Sequence, residues 1–279
     1  MKLVMFSKHL QGLTLEEVAD TLVDLELDGV DLTVRPGGHI EPAEVEFRLP
    51  QALDIFNDRG LDIGMLTTAV LDAREPHAEA IFATAAECGI GALKLGYYLC
   101  QNFGAFWSDF ERTMVLLDGI EGLAGEYGVS ANLHVHSGPF VTATPQTISM
   151  LLDGRDPRFV GAYVDSGHMA IEGGYGGWVQ GLDMLAGRIN LVALKAMGWF
   201  QVDHEGRQTW QRRLVPLDEG IIDLRLFLQH VKATGFDGVV TFHSEYQGSH
   251  SFRDLTVPEL IEQTRRDVTY VKGLLEELG

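Results

Sequence analysis

Short apolar, β-branched runs alternate along this chain with longer stretches in which apolar residues recur every three to four positions. The short runs predict eight strands: LVMFS (3–7), GVDLTV (29–34), DIGMLTT (62–68), ALKLGYY (92–98), SANLHVH (130–136), VGAYVDS (160–166), INLVALKAM (189–197) and GVVTFHSEY (238–246). The longer stretches predict helices. TLEEVADTLVDLEL opens on Thr14 with Glu17 three residues on, a capping-box pattern. PHAEAIFATAAECG and LRLFLQHVKATG stop at Gly89 and Gly235, and VPELIEQTRRDVTYVKGLLEEL keeps helical spacing to the C-terminus. No linker, low-complexity segment or short repeat divides the chain. Eight strand–helix cycles in one unbroken stretch predict an α/β protein, a single (β/α)8 TIM barrel over residues 1–279. An open doubly wound sheet would be expected to carry a glycine fingerprint in its first βα turn, and SKHLQG is not one.

Composition narrows the partners. The chain is 46% hydrophobic and 22% charged, ordinary for a globular protein with a sizeable core. Lys and Arg total 21 against 40 Asp and Glu, a net charge of −19 that repels nucleic acid and anionic membranes. A small-molecule partner is therefore expected, although a local basic pocket could still hold an anion. Cys88 and Cys100 match no zinc or redox spacing and are expected as buried free thiols. The opening MKLVMFSKHL is too short in its apolar run for a secretion signal, and no run approaches a membrane span. A cytoplasmic location is the expectation.

The chemistry gathers at the strand ends. In a barrel of this kind the active site lies at the C-terminal ends of the strands. There the sequence places Ser7, Lys8 and His9, then Arg35 and His39, His134 and His136, Asp165 and His168, Lys195, and finally His243 and Glu245. Successive side chains of a strand alternate faces, so His134 and His136 share one. Core packing does not require that clustering; a polar site does. His134, Asp165, His243 and Glu245 suit a divalent metal, manganese first, with iron, cobalt or zinc as alternatives. Plainer roles compete. His136 could bond a backbone carbonyl, Glu245 could be held by Arg253, Lys195 could snorkel past the rim, and Arg35 could only support its own turn. Arg212 and Arg213 read as solvated loop charges, and only one of Tyr97 and Tyr98 can face inward. The long connection from Trp199 to Gly220, with Trp199, Phe200 and Trp210, is expected to be a lid or a subunit contact, and homo-oligomers stay open.

The segments YVDSGHMAIEGG (163–174), PLDEGIID (216–223), KHLQG and DGVDLTVRPGGH resemble the sugar phosphate isomerase/epimerase superfamily over essentially the full chain. These are the xylose-isomerase-like barrels, which also include hydroxypyruvate isomerase, inosose dehydratase, ketose 3-epimerases and endonuclease IV. The resemblance implies that Asp165 binds metal and His168 contacts substrate. The sequence departs from the epimerases of this group at three positions. His134 stands where they place a glutamate, Ala193 where they place a histidine (with Lys195 beyond it), and His243 where they place a second glutamate, with Glu245 two residues on. Three arrangements remain open: a metal held by His134, Asp165 and His243 or Glu245; a site shifted along the strands; or a lysine charge from Lys195 in place of the metal.

Residues and resemblance together imply a metal-dependent isomerase or epimerase acting on a sugar or keto-sugar. The metal or Lys195 polarises a carbonyl and stabilises an enediolate, while Glu245 or a histidine removes the neighbouring proton. Glu245, His168 and Lys195 are the expected catalytic groups. Lys8, His9, Arg35, His39, His136, His168 and Trp199 are the expected carbohydrate contacts. Two alternatives accompany this reading: a lyase or dehydratase eliminating from a keto-sugar, keto-glycoside or inosose, and a sugar-binding barrel without catalysis. The charge weighs against an abasic-site nuclease.

Overall fold

A computed structural model describes residues 1–279. Its eight barrel strands are β1 (Lys2–Phe6), β2 (Gly29–Val34), β3 (Asp62–Thr68), β4 (Ala92–Lys94), β5 (Ser130–His134), β6 (Val160–Asp165), β7 (Ile189–Leu194) and, after a hairpin of β8 (Ala196–His204) and β9 (Arg207–Val215), β10 (Val239–Phe242). They close in the order β1-β10-β7-β6-β5-β4-β3-β2, every pair parallel. This is the (β/α)8 barrel that the alternating pattern predicts. Strands covered on both faces read as near-continuous apolar runs, which is why β2, β6 and β7 carry so few polar residues.

The helices start and stop where their local chemistry dictates. Thr14 caps α1 (Leu15–Asp24) with both halves of its capping box in place. After α3 (Ala78–Glu87) and α8 (Leu224–Ala233), Gly89 and Gly235 take positive φ of 71° and 83°. The other helices are α2 (Val45–Asn57), α4 (Phe106–Tyr127), α5 (Pro145–Leu151), α6 (Ser166–Gly173), α7 (Gly177–Met184) and α9 (Val257–Leu278). The main core fills the layer between strands and helices, while Met65, Tyr163, Leu191 and Ala193 pack inside the barrel. No helix is long and apolar enough to cross a membrane.

Several expected strands end early, and the reason is positional. The run 92–98 leaves the ladder after Lys94, and 130–136 leaves it after His134. The run 189–197 breaks at Lys195 into β7 and β8. At the rim the chain turns out towards the next helix, so only isolated backbone bonds, such as Leu95 N–H to the Asn132 carbonyl and Val135 N–H to the Tyr163 carbonyl, carry on past the ladder. The connection 199–220 is an ordered antiparallel hairpin for most of its length, with Trp199 opposite Arg212. Cys88 and Cys100 are free, as expected, but only half-buried.

Candidate active site

The barrel's inward positions become polar towards its C-terminal mouth. β6 delivers Tyr163 and Asp165, β7 delivers Ala193 and, one residue past its end, Lys195, and β10 leads to His243 and Glu245. Asp165 also ends β6 as the N-cap of α6, its Oδ1 accepting the His168 N–H at 2.9 Å. That bond turns His168 back over the mouth. The next residue, Ser166, donates from Oγ to the Lys195 carbonyl (2.7 Å) and accepts the Lys195 N–H (3.0 Å), clamping the β7 rim to α6. Gly167 eases the packing beside them: a Cβ there would lie 3.0 Å from both the Lys195 carbonyl oxygen and its Cγ, a tight contact. The DSGH segment is thus a device for seating Lys195.

Lys195 is the hub. It is 1% exposed, and Nζ donates to Glu245 Oε1 at 3.0 Å and to His168 Nε2 at 3.1 Å, with Asp165 Oδ2 at 3.7 Å. Because an ammonium only donates, His168 Nε2 accepts, so the ring carries its proton on Nδ1 and gives it to Ser137 Oγ at 2.6 Å. His134 Nε2 lies 3.2 Å from Asp165 Oδ2, and a carboxylate only accepts, so this ring carries its proton on Nε2. Its Nδ1 receives the Tyr97 hydroxyl at 3.4 Å, and the ring stacks on Tyr163 at 4.4 Å. Burial holds the His134 pKa down to about 4 against the pull of Asp165, and burial with the Lys195 charge holds His168 well below the usual range. Both imidazoles are neutral.

Burial and charge act on Glu245 in opposite directions. Burial alone would raise its pKa, but the nearby cations, Lys195 foremost and Lys8 with it, outweigh that and hold it well below the usual carboxylate range. His9 Nε2 at 4.0 Å and His243 Nδ1 at 3.9 Å flank its Oε1. Both nitrogens are buried without a hydrogen-bond partner. Burial pushes His9 down to about 3 and holds His243 well below its usual range. Such atoms are rare in folded proteins, and beside the half-buried Glu245 carboxylate they are the places where a ligand's hydroxyl groups would bond.

A deeper polar layer was not singled out from sequence. Asp31 on β2 is fully buried, accepts from Thr67 Oγ1 at 2.7 Å, and is pushed up to about 7 by burial. Lys94 on β4 is pushed down to about 7 by burial and lies 3.6 Å from the centre of the Tyr97 ring. Tyr163 OH lies 2.8 Å from His243 Nε2. The available signal was a lone charge inside an otherwise apolar strand, as in GVDLTV and ALKLG.

The remaining expected residues divide. His136 makes the backbone contact foreseen for it, Nδ1 lying 3.0 Å from the Ser137 carbonyl, and its ring centre is 3.9 Å from that of His168. Arg35 lies over Phe6, which stacks on His243, and its charge reaches His9 and Asp31. Lys8 is exposed, with its charge felt at Glu245. His39 instead bonds Thr33 and lines a groove with Leu13, Thr14 and Arg48, and Trp199 is exposed on β8. Neither joins the central cluster: His39 follows the turn at 36–37 beyond β2, and Trp199 lies on the outgoing strand β8. Glu245 is held by Lys195, not Arg253. Arg212 and Arg213 are half-buried, since β9 folds back onto the barrel rim, and Arg212 adds to the positive field at His168. Tyr97 faces inward while the Tyr98 hydroxyl donates to the Leu71 carbonyl.

The residues as placed do not fit the expected manganese site. No three His, Cys, Asp or Glu side chains converge in a metal-holding group. His134 meets Asp165, and His243 approaches Glu245, but the Lys195 ammonium lies between the two carboxylates.

A closed parallel barrel thus gathers carboxylates, imidazoles and Lys195 at its C-terminal mouth. The chain belongs to the xylose isomerase-like TIM barrels, whose family model matches residues 19–270. It is 30% identical over 131 residues to inosose dehydratase of Bacillus velezensis, a match spanning 47% of this chain and 39% of that protein's length. Among solved structures it resembles D-psicose 3-epimerase with D-tagatose from Clostridium cellulolyticum H10, 12% identical at a TM-score of 0.72 over 99% of each chain. It also resembles the IOLI protein with a bound zinc atom, 17% identical at a TM-score of 0.72 over 97% of this chain and 98% of that one. At such identities these likenesses show the fold. Epimerases and dehydratases both occur among these relatives.

Proposed function

We propose that the barrel mouth moves a proton next to the carbonyl of a polyhydroxylated ketone, isomerising or epimerising a sugar or keto-sugar through an enediolate. The observation that carries this reading is the pair of orphaned nitrogens, His9 Nε2 and His243 Nδ1, on either side of Glu245, itself bonded to Lys195. The two imidazoles take substrate hydroxyls. Lys195 has a third N–H, and it faces the substrate carbonyl oxygen, where charge develops as the α-proton leaves. Glu245 takes that proton. As the ammonium turns to the new oxyanion, its hold on Glu245 weakens and the carboxylate becomes a better base. Delivery of the proton to the neighbouring carbon, with the hydroxyl proton there passing to the former carbonyl oxygen, gives isomerisation; protonation of the original carbon by a second acid on the opposite face, with Glu245 keeping the proton it took, gives epimerisation.

Elimination is the second reading, favoured by the partial match to inosose dehydratase. There the enediolate expels a β-hydroxyl, and the proton that Glu245 has taken from the α-carbon goes to that oxygen, so water leaves and the carboxylate is restored.

The deciding experiment is proton NMR in deuterated water with D-fructose, D-tagatose, D-psicose and an inosose as probes. Deuterium at the α-carbon with sugar conserved supports isomerisation or epimerisation, and loss of water from the inosose supports elimination. Binding of these sugars with neither outcome leaves a non-catalytic sugar-binding barrel.

A further inference from the structure

The two carboxylates at the mouth come from strands far apart in sequence, and what lies between them is an ammonium. Lys195 Nζ is 3.0 Å from Glu245 Oε1 and 3.7 Å from Asp165 Oδ2, and the side chain is 1% exposed. His168 Nε2 at 3.1 Å and His134, bonded to Asp165, complete the surroundings. Without the lysine, two carboxylates and two imidazoles would face one another, the donor set that suits zinc or manganese. An ammonium offers no lone pair and cannot be a ligand. A metal shared by both carboxylates would need oxygens at about 2.0–2.2 Å, and would then lie against the ammonium in a low-dielectric interior where like charges repel strongly. The root of the lysine is fixed: Ser166 bonds both backbone polar groups of Lys195, and Gly167 lets the α6 turn close beside its Cγ, while Nζ is held by Glu245 and His168.

We infer that Lys195 is the resident cation of this barrel, standing in the place of a divalent metal between Asp165 and Glu245 and excluding one. It supplies one fixed positive charge and hydrogen-bond donors, where a metal would supply two charges and open coordination positions. The inference concerns cation occupancy and holds whichever carbonyl compound the site acts on. With the ammonium removed, Glu245 and His168 are free to close towards Asp165 and His134, and the four side chains are expected to gain metal affinity.

The test is calorimetric titration of chelator-treated full-length protein with Zn²⁺ and with Mn²⁺, alongside elemental analysis of the protein as purified. Wild type is expected to be purified with substoichiometric metal and to show no one-per-chain site. Lys195→Met is expected to gain such a site, at least about a hundredfold tighter than any wild-type binding, and to lose it again in the Lys195→Met, Asp165→Asn double variant. Lys195→Arg, which keeps the charge, gains none. A wild-type chain that binds one equivalent of either metal, in a manner abolished by Asp165→Asn, overturns the inference, as does a folded Lys195→Met with no gain. Should Lys195→Met fail to fold, the wild-type titration and elemental analysis decide alone.

Discussion

Lys195 Nζ reaches Glu245 Oε1 across 3.0 Å, joining the rims of two adjacent strands, β7 and β10, in a pocket closed to solvent on the lysine side. Removing one member of a buried ion pair leaves the other uncompensated. Lys195→Met is expected to lose about 3–5 kcal/mol in urea unfolding and to slow deuterium exchange into substrate by about 100- to 1000-fold. A variant with unaltered exchange would remove Lys195 from the proposed chemistry.

Glu245→Gln keeps shape and a hydrogen-bonding oxygen but cannot take a proton. Exchange is expected to fall by about 100- to 10,000-fold. Its substrate Kd should stay close to wild type, because the hydroxyl contacts are assigned to His9 and His243. Isothermal titration with the same sugars separates the two effects, and a large loss of affinity with normal turnover would contradict the assignment.

The buried histidines set the acid side of the stability curve. His9 has its pKa lowered by burial from 6.5 to about 3. Above pH about 6.5 its ring is neutral folded or unfolded; below it, the unfolded chain binds a proton that the folded chain refuses. Stability therefore falls as pH drops, by up to about 1.4 kcal/mol per unit for each such group. Asp31 works in the opposite sense. Its pKa is raised by burial from 3.8 to about 7, so its contribution is present in acid and lost as pH rises through that window. Urea midpoints measured from pH 4 to 8 should show a shallower acid limb for His9→Phe and a steeper one for Asp31→Asn.

Two further substitutions test the scaffold apart from the mouth. At Gly29, the first residue of β2, a Cβ would lie 2.0 Å from the Asp62 carbonyl oxygen of the paired strand. Backbone on both sides cannot yield, so Gly29→Ala is expected to cost about 3 kcal/mol or more, or to yield insoluble protein.

Arg155 follows α5 and holds Asp118 and Glu121 of α4 together with the Met114 and Leu151 carbonyls. Arg155→Ala should cost about 2–3 kcal/mol in urea unfolding and leave exchange kinetics unchanged at saturating substrate. Slowed turnover in the folded variant would tie this remote network to the site.

The barrel was legible because its strands and helices announce themselves locally. β-branched runs of the right length, Thr14 with Glu17, and the glycines at 89 and 235 each fix their own neighbourhood, and eight repeats of that alternation leave few ways to close. The hairpin at 196–215 was not legible, because neither of its strands is buried deeply enough to show a strand's apolar alternation. Asp31 and Lys94 were passed over because a single charge within an apolar run carries no sign of which way it points.

At the mouth, the residue types were readable from the chain: His134, Asp165, His168, Lys195, His243 and Glu245 all fall at strand ends, and all six meet. Their partnerships were not. Sequence spacing places a side chain on a face of its own strand, whereas an ion pair depends on the depth of each strand in the closed ring and on how far each side chain reaches across it. Lys195 has the reach to lie between Asp165 and Glu245, where the sequence suggested a metal and allowed Arg253 as a partner for Glu245. Local interactions decided the elements; the closure of the barrel, a long-range property of strand register, decided which charges face one another.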